Sequence, residues 1–296
     1  MSDPLFAGVE LGGTKSIAVV ARGYSIIDRI QLPTTTPAPT LDALSCWLLR
    51  SQAVHGDFAA IGIGSFGPVC VDHRAAEYGC ITNTPKPGWA DTSVLDHFRQ
   101  RFHVPIGFDT DVNGAALAEG RWGASREASV HVYMTIGTGV GVGIVVDGRP
   151  LHGAMHPEFG HIRIRRLPGD SFPGVCRFHG DCLEGLVSGP AIAARTGDDP
   201  SRFSIEHPVW EAVAADLAEA VGTLILTVSP QKIVIGGGVA VGQPRLFEKL
   251  PPLVAVRLAG YYGHGTASLL DEMVCRPGLG NDAGPLGAIA LAFDAL

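Results

Sequence analysis

The strongest constraint on how this chain can fold is a unit that occurs twice. Residues 6–22 read as strand, turn, strand: 5–10 is largely apolar, Gly12-Gly13 makes the turn, and 16–20 is apolar and β-branched. Residues 130–146 follow the same plan, with a strand over 131–136, a turn at Gly137-Thr138-Gly139 and a returning strand over 140–146. Each copy sets a Gly-Thr turn between apolar strands, and the copies lie about half the chain apart. That separation predicts two domains of similar topology arising by duplication, not a solenoid. A length of 296 residues agrees with two domains.

Other elements fit around the copies. Residues 41–54 show helical spacing of Leu and Trp, and 59–63 form a short buried strand ending in Gly64-Ser65-Phe66-Gly67-Pro68. Residues 104–109 read as a strand and 112–122 as an alanine-rich helix. Residues 209–228 give a long apolar-periodic helix, 232–235 a strand running into Gly236-Gly237-Gly238, and 284–296 a helix rich in Ala and Leu. Strands and helices alternate, so the expected class is α/β. The domain boundary is expected just after the strand ending at Asp109.

Composition narrows the function classes. With 46% hydrophobic and 17% charged residues the chain can bury enough apolar surface to fold. A net charge of −7 argues against a nucleic-acid partner, because phosphate backbones select basic faces. No segment reaches the ~18–20 apolar residues that span a bilayer, and the N-terminus has neither a basic region nor an apolar signal core. The expected location is the cytoplasm. There, cysteines 46, 70, 80, 176, 182 and 275 should be thiols or metal ligands, not a disulfide frame.

The glycine turns are candidate phosphate cradles. In Glu10-Leu11-Gly12-Gly13-Thr14-Lys15 a turn without β-carbons lets backbone N–H groups converge on an anion. Thr14 adds a hydroxyl, Lys15 a positive charge, and Glu10 a carboxylate for a hydrated Mg²⁺. An ordinary hairpin turn is the other reading of these residues. Residues 137–143 contain a dinucleotide-type glycine pattern, but that fingerprint opens a helix, and here a Val/Ile-rich strand follows. As a pair, the two hairpins can grip nucleotide phosphates from two domains. Gly236, Gly237 and Gly238 would then floor the adenosine, or simply turn a strand into a helix.

Phe108-Asp109-Thr110-Asp111-Val112-Asn113 joins a strand to a helix, at the strand end where α/β folds bind ligands. Either Asp would serve as a helix N-cap. Two acids within three positions leave one for another task, such as taking the proton of a hydroxyl during transfer. Farther on, residues 161–182 hold His161, Cys176, His179 and Cys182, four N/S ligands of the kind that close a tetrahedral zinc site. Zinc would brace the irregular stretch 166–180. Two buried thiols with two surface histidines is the alternative, and His152 and His156 are rival ligands.

Together these pieces resemble the ROK family of sugar kinases and repressors, over nearly the whole chain. The likeness rests on the 10–15 and 136–143 turns, Asp111-Val112-Asn113, Glu158-Phe159-Gly160-His161, the Cys/His cluster, Cys182-Leu183-Glu184-Gly185 and Ile235-Gly236-Gly237-Gly238. Within the family the chain is most similar to the bacterial fructokinase branch, through 62–68, Thr84-Pro85-Lys86-Pro87-Gly88-Trp89 and His156-Pro157-Glu158. The resemblance implies a two-domain actin-like ATPase (ribonuclease H-like) fold with the catalytic cleft between domains. Residues 1–111 plus 285–296 would form the small domain and 112–284 the large one, with its zinc segment at 161–182. It implies Asp111 as catalytic base and Asp111, Glu158, His161 and Glu184 as sugar contacts. Gly12, Gly13, Thr14, Lys15, Gly137, Thr138, Gly139 and Gly236–Gly238 would hold ATP. His161, Cys176, His179 and Cys182 would hold a structural Zn²⁺. The implied reaction moves the γ-phosphoryl group of ATP, with Mg²⁺, onto the 6-hydroxyl of D-fructose. Gluco- or mannokinase, or a sugar-sensing regulator without catalysis, are the alternatives. No helix-turn-helix segment precedes residue 6, which speaks against a repressor, and a homodimer is expected. Three positions depart from the common pattern: Glu10 stands where many members have Asp, Thr110 where many have Asn, and His179 where a thiolate is usual.

Overall fold

A computed structural model describes residues 3–296. In chain order its elements are β1 (Leu5–Leu11), β2 (Lys15–Arg22), β3 (Ser25–Pro33), α1 (Pro37–His55), β4 (Ala60–Ser65), β5 (Cys80–Ile81), β6 (Thr92–Ser93), α2 (Val94–Arg99), β7 (Ile106–Thr110) and α3 (Asp111–Trp122). The second half adds β8 (Val130–Ile136), β9 (Val140–Val146), β10 (Arg149–Pro150), α4 (Leu183–Val187), α5 (Gly189–Thr196) and α6 (Val209–Val228). It continues with β11 (Lys232–Gly236), α7 (Gly238–Val241), α8 (Pro244–Leu258), α9 (Ala267–Met273), β12 (Val274–Cys275) and α10 (Ala283–Asp294).

The duplication read from the two Gly-Thr turns extends to whole sheets. One sheet has the order β3-β2-β1-β4-β7, the other β10-β9-β8-β11-β12. In each, the first three strands form an antiparallel meander and the last two run parallel to the meander's inner strand. Central strands covered on both faces are buried along nearly their whole length, as β1 and β8 are, whereas β3 alternates because it is an edge.

Two helices fill the space between the sheets. α10 lies on β1, β4 and β7, and α3 lies on β8 and β9, with the two helices packed on each other. This close layering explains why both are rich in Ala and Gly. A β-carbon at Gly62 would collide with the Ala288 carbonyl of α10, and α3 crosses α10 where Gly114 meets Gly287. A buried carboxylate, Glu119 at the end of α3, ties in the return toward α10 by accepting from Gly278 N and Leu279 N, each at 3.0 Å. The remaining helices α4, α5, α6, α8 and α9 cover the far face of the second sheet, while α1 and α2 cover the far face of the first. Among the described residues no helix is long and apolar enough to cross a membrane.

The layering puts the carboxyl ends of β1, β4, β7, β8 and β11 around one cleft. Residues 12–15, 66–68, 110–112, 137–139 and 237–238, which follow those strand ends, all line it.

Candidate active site

The cleft encloses about 2170 Å³. The two Gly-Thr turns face each other across it, with Thr14 Oγ1 3.3 Å from Thr138 Oγ1. The first turn is held by its own backbone, where Gly12 N donates to Lys15 O at 3.1 Å, and by Thr34. The Thr34 hydroxyl donates to Gly12 O at 2.7 Å and its N–H to Thr14 O at 2.9 Å. The second turn closes through Gly137 N donating to Gly139 O at 2.9 Å, and Gly189 N at the start of α5 donates to Gly137 O at 2.7 Å. Lys15 opens β2 on the rim of the cleft. Of the third glycine run, Gly237 and Gly238 reach the cleft. Gly236 does not: it is the last residue of β11, where a β-carbon would strike the Tyr133 hydroxyl. Gly237 has φ +86°, a conformation natural to glycine, and sends the chain into α7.

The cap of α3 is neither of the two acids. Thr110 is the N-cap, its hydroxyl accepting from Asn113 N at 3.1 Å. This corrects the N-cap expectation for Asp109 and Asp111. The two acids have separate fates. Asp109 is buried, accepting from Thr110 N (2.7 Å) and Asn113 Nδ2 (2.8 Å), with its other oxygen 2.9 Å from His152 Nε2. Asp111 is the first residue of α3 and lines the cleft. Burial pushes its carboxyl up to about 6, against the pull of the N–H of Val112, which it accepts at 2.9 Å.

Two more carboxylates show the same perturbation. Glu158 is pushed up to about 7 by burial, then by the negative charges of Glu184 and Asp111. Glu10 is pushed up to about 7 by burial and by Asp111, with Lys15 opposing. Glu184, in the first turn of α4, accepts from Val140 N at 3.1 Å and so meets the second Gly-Thr turn. Glu10, Asp111, Glu158, His161 and Glu184 therefore line one cleft. Perturbed acids gathered in a cleft mark a site for proton chemistry and polar ligands.

The metal cluster assembles on the same wall. His161 ends a short turn over Phe159–His161, Cys176 pairs with Gly180 through a two-way backbone bridge, and Cys182 is the N-cap residue just before α4. The ligand atoms of His161, Cys176, His179 and Cys182 lie within 4.8 Å of one another. Cys176 Sγ is 3.7 Å from both His161 Nδ1 and His179 Nδ1, and Cys182 Sγ is 3.5 Å from His161 Nδ1. Metal–ligand bonds of ~2.3 Å to sulfur and ~2.05 Å to nitrogen at a tetrahedral angle give an S···N edge of about 3.6 Å, so these residues fit Zn²⁺ in type and spacing. His152 and His156 lie outside the set. His152 faces Asp109, and His156 Nε2 accepts from Val69 N at 3.0 Å.

Some participants had no signal of their own in the sequence. Lys86 Nζ donates to Gly13 O at 2.6 Å, reaching the first turn from 73 positions away. Thr34 holds that turn; His156, read in the sequence as a rival metal ligand and as part of the 156–158 motif, instead joins the loop after β4 to the neighbourhood of Glu158, whose Oε1 lies 3.7 Å from His156 Nδ1. The 84–89 motif was the only trace of Lys86, and nothing local tied it to the glycine turn.

Comparison with known proteins agrees with this geometry. The ROK family profile matches residues 6–295. A curated protein named fructokinase from Pediococcus pentosaceus is 40% identical over 294 residues, covering 99% of both chains. The crystal structure of a ROK hexokinase from Thermus thermophilus superposes with a TM-score of 0.79 at 28% identity, covering 98% of each chain. A ROK family glucokinase from Streptomyces griseus, in complex with glucose and AMPPNP, gives a TM-score of 0.76 at 26% identity, covering 98% of this chain and 99% of that one. With two sheets of one topology, two facing Gly-Thr turns and a match over nearly its entire length, this chain belongs to the ROK family of sugar kinases and has their actin-like ATPase fold.

Proposed function

We propose that this protein is an ATP-dependent fructokinase, transferring the γ-phosphoryl group of ATP to the 6-hydroxyl of D-fructose. The observation that carries the reading is Asp111, a carboxylate raised to about 6 in a cleft bounded by two opposed Gly-Thr turns. A base in that range is ionised at neutral pH yet accepts a proton more readily than an ordinary carboxylate. Asp111 orients the sugar hydroxyl and takes its proton as the phosphoryl group arrives. Such transfer depends mostly on positioning and electrostatics, which the Gly12–Thr14 and Gly137–Gly139 turns provide from opposite sides through the amides not already used to close them. Lys15 adds positive charge at the rim of the first turn, and Gly237 and Gly238 floor the nucleoside. Gly236 backs them from within β11. Mg²⁺ bound with the nucleotide would supply charge neutralisation to the transferring group, and Glu10 is the residue that would hold it.

Glu158 and Glu184 accept hydrogen bonds from sugar hydroxyls, and His161 serves both sugar and zinc. Zinc held by His161, Cys176, His179 and Cys182 is structural in this reading, because four protein ligands leave no open position. Residues 1–111 with 285–296, and residues 112–284, act as two lobes that close on the substrates and keep water out. The working form is a cytoplasmic homodimer. Fructose is favoured over glucose because the Pediococcus pentosaceus protein named fructokinase is 40% identical, against 26% for the Streptomyces griseus glucokinase.

The test is ADP release from purified protein with Mg-ATP and fructose, glucose, mannose or no sugar. Turnover stimulated by fructose well above the others is the expected result. Stimulation by another hexose would reassign the substrate, and no sugar-stimulated turnover in folded, zinc-loaded protein would sink the kinase reading.

A further inference from the structure

The first Gly-Thr turn is gripped from outside by its carbonyls. Gly12 O accepts from the Thr34 hydroxyl at 2.7 Å, Gly13 O from Lys86 Nζ at 2.6 Å, and Thr14 O from Thr34 N at 2.9 Å. In a trans peptide the carbonyl and the following N–H point in opposite directions. Fixing the carbonyls of Gly12 and Gly13 toward β3 and residue 86 therefore turns the N–H groups of Gly13 and Thr14 the other way. Among the described residues neither N–H has a protein acceptor. Two unclaimed donors on a glycine turn, beside the Thr14–Thr138 hydroxyl pair, form a concavity suited to an anion.

Lys86 is delivered to this turn by a rigid loop. Trp89 is fully buried, its indole N–H donates to Thr35 O at 2.7 Å, and its ring packs edge-on against Phe66 at 5.2 Å. Lys86 Nζ also lies 3.3 Å from Thr34 O, so one ammonium bridges the turn and the end of β3. Lys86 lines the cleft with Thr84 and Pro85. A lysine is an unusual means of satisfying a lone surface carbonyl, since ordering its long side chain costs rotamer entropy. At this position its hydrogen bond sets the orientation of the Gly13–Thr14 peptide plane, one of the two whose N–H groups are left unclaimed, and its charge adds to the field there.

We propose that Lys86 is a positioning residue for nucleotide phosphates: by holding Gly13 O it fixes the Gly13–Thr14 peptide and aims the Thr14 N–H at the terminal phosphates of the nucleotide. The inference rests on the kinase reading above for the identity of the anion. It acts through the turn, not through the sugar carboxylates, so its effect should divide along the length of the nucleotide.

The experiment compares wild type, Lys86→Met and Lys86→Arg. Equilibrium binding of Mg-AMPPNP and of AMP is measured by calorimetry without sugar, followed by steady-state kinetics. For K86M, AMPPNP affinity should fall about 10-fold or more, the scale of one lost charge-assisted hydrogen bond. AMP affinity and the KM for fructose should stay within about 2-fold of wild type. K86R, which keeps a charged donor, should recover most of the loss. Equal losses for AMPPNP and AMP, or no loss for either, would overturn the proposal. Wild-type protein that binds AMPPNP but turns over no hexose would overturn the kinase reading instead, and the AMPPNP-to-AMP comparison would still decide the role of Lys86.

Discussion

Replacing Asp111 by Asn should separate activity from stability in opposite directions. The side chains are nearly isosteric and Asn can still accept from Val112 N, so the fold has no reason to change. What disappears is the proton acceptor. Loss of a general base costs about 10²–10⁴-fold in kcat, or ~3–5 kcal/mol of transition-state stabilisation. Stability should move the other way. Burial raises the Asp111 pKa from 3.8 to about 6, so the folded protein binds this proton more tightly than the unfolded chain. Stability from this group is complete below about pH 4 and is lost as pH rises through about 6. At neutral pH the buried charge therefore costs up to about 3 kcal/mol, from two pKa units at ~1.4 kcal/mol each. Asn carries no such cost. The assay is a coupled measurement of ADP release at saturating ATP and varied fructose from about pH 5 to 9, with thermal denaturation at the same pH values. Wild-type kcat/KM for fructose should fall below about pH 6 with a slope of one, and D111N should lose that limb along with at least ~99% of turnover, while melting no lower than wild type at about pH 7.5. D111N turnover within about tenfold of wild type would refute the role of Asp111 as base.

Three further substitutions probe other parts of the site and fold. Cys176→Ser removes one of the four clustered ligands, so metal analysis should show loss of about one zinc per chain with a lower melting temperature; a full zinc complement would contradict the ligand set. Glu158→Gln keeps the shape of a side chain that burial, Glu184 and Asp111 raise to about 7. It should raise the KM for fructose about 10-fold with little change in that for ATP, and an unchanged KM for fructose would remove Glu158 from the sugar pocket. Glu119→Gln replaces one of the two oxygens that accept from the Ala124, Gly278 and Leu279 amides by an NH2 group, which donates, so at least one of those amides loses its acceptor. Denaturant titration should show a loss of about 1–3 kcal/mol, with kcat near normal in the protein that remains folded.

The duplicated core was legible because each copy announces itself locally. A glycine turn between two apolar strands needs no tertiary information to be recognised, and its recurrence implied a second sheet of the same topology. The Cys and His residues between 161 and 182 were legible for a related reason, since three of the four ligands sit within seven residues. What stayed hidden depends on contacts between distant segments. The burial pattern of β3 alternates weakly, as an edge strand's does, and α8 carries Pro251 and Pro252 inside it, which conceals the helix. Asp109 and Asp111 look equivalent in the sequence. Only the arrival of His152 and Asn113 makes one a buried acceptor and leaves the other facing the cleft. His152 and His156 could be separated from the zinc set only by finding their partners, Asp109 and the Val69 amide. Gly236 joined the nucleotide floor in the sequence reading because its neighbours do, whereas the strand ends one residue too late for it to reach the cleft.

The acids of the cleft also explain why such a site needs bracing. Glu10, Asp111 and Glu158 are all raised, first by burial, and Asp111 adds to the shift of both other groups through like charge. For each, stabilisation is greatest when protonated and is lost as pH rises through about 6 to 7, so the empty cleft is a source of instability at neutral pH. A site of this kind is complementary to what it lacks. Sugar hydroxyls donate hydrogen bonds to carboxylates, and a hydrated cation on a nucleotide neutralises them, so ligand binding offsets a cost already present in the free protein. The offset is useful only if the acids cannot relax apart while the cleft is empty. Glu158 stands three residues before His161 and Glu184 two residues after Cys182, so both of these cleft-lining acids are tethered within a few residues of the four-ligand cluster. On the opposite side Asp111 is fixed by the Thr110 cap and the Asp109–Asn113–His152 contacts behind it. The like charges are thus held in place from two sides of the cleft, which is where a phosphoryl acceptor with several hydroxyls would bridge them.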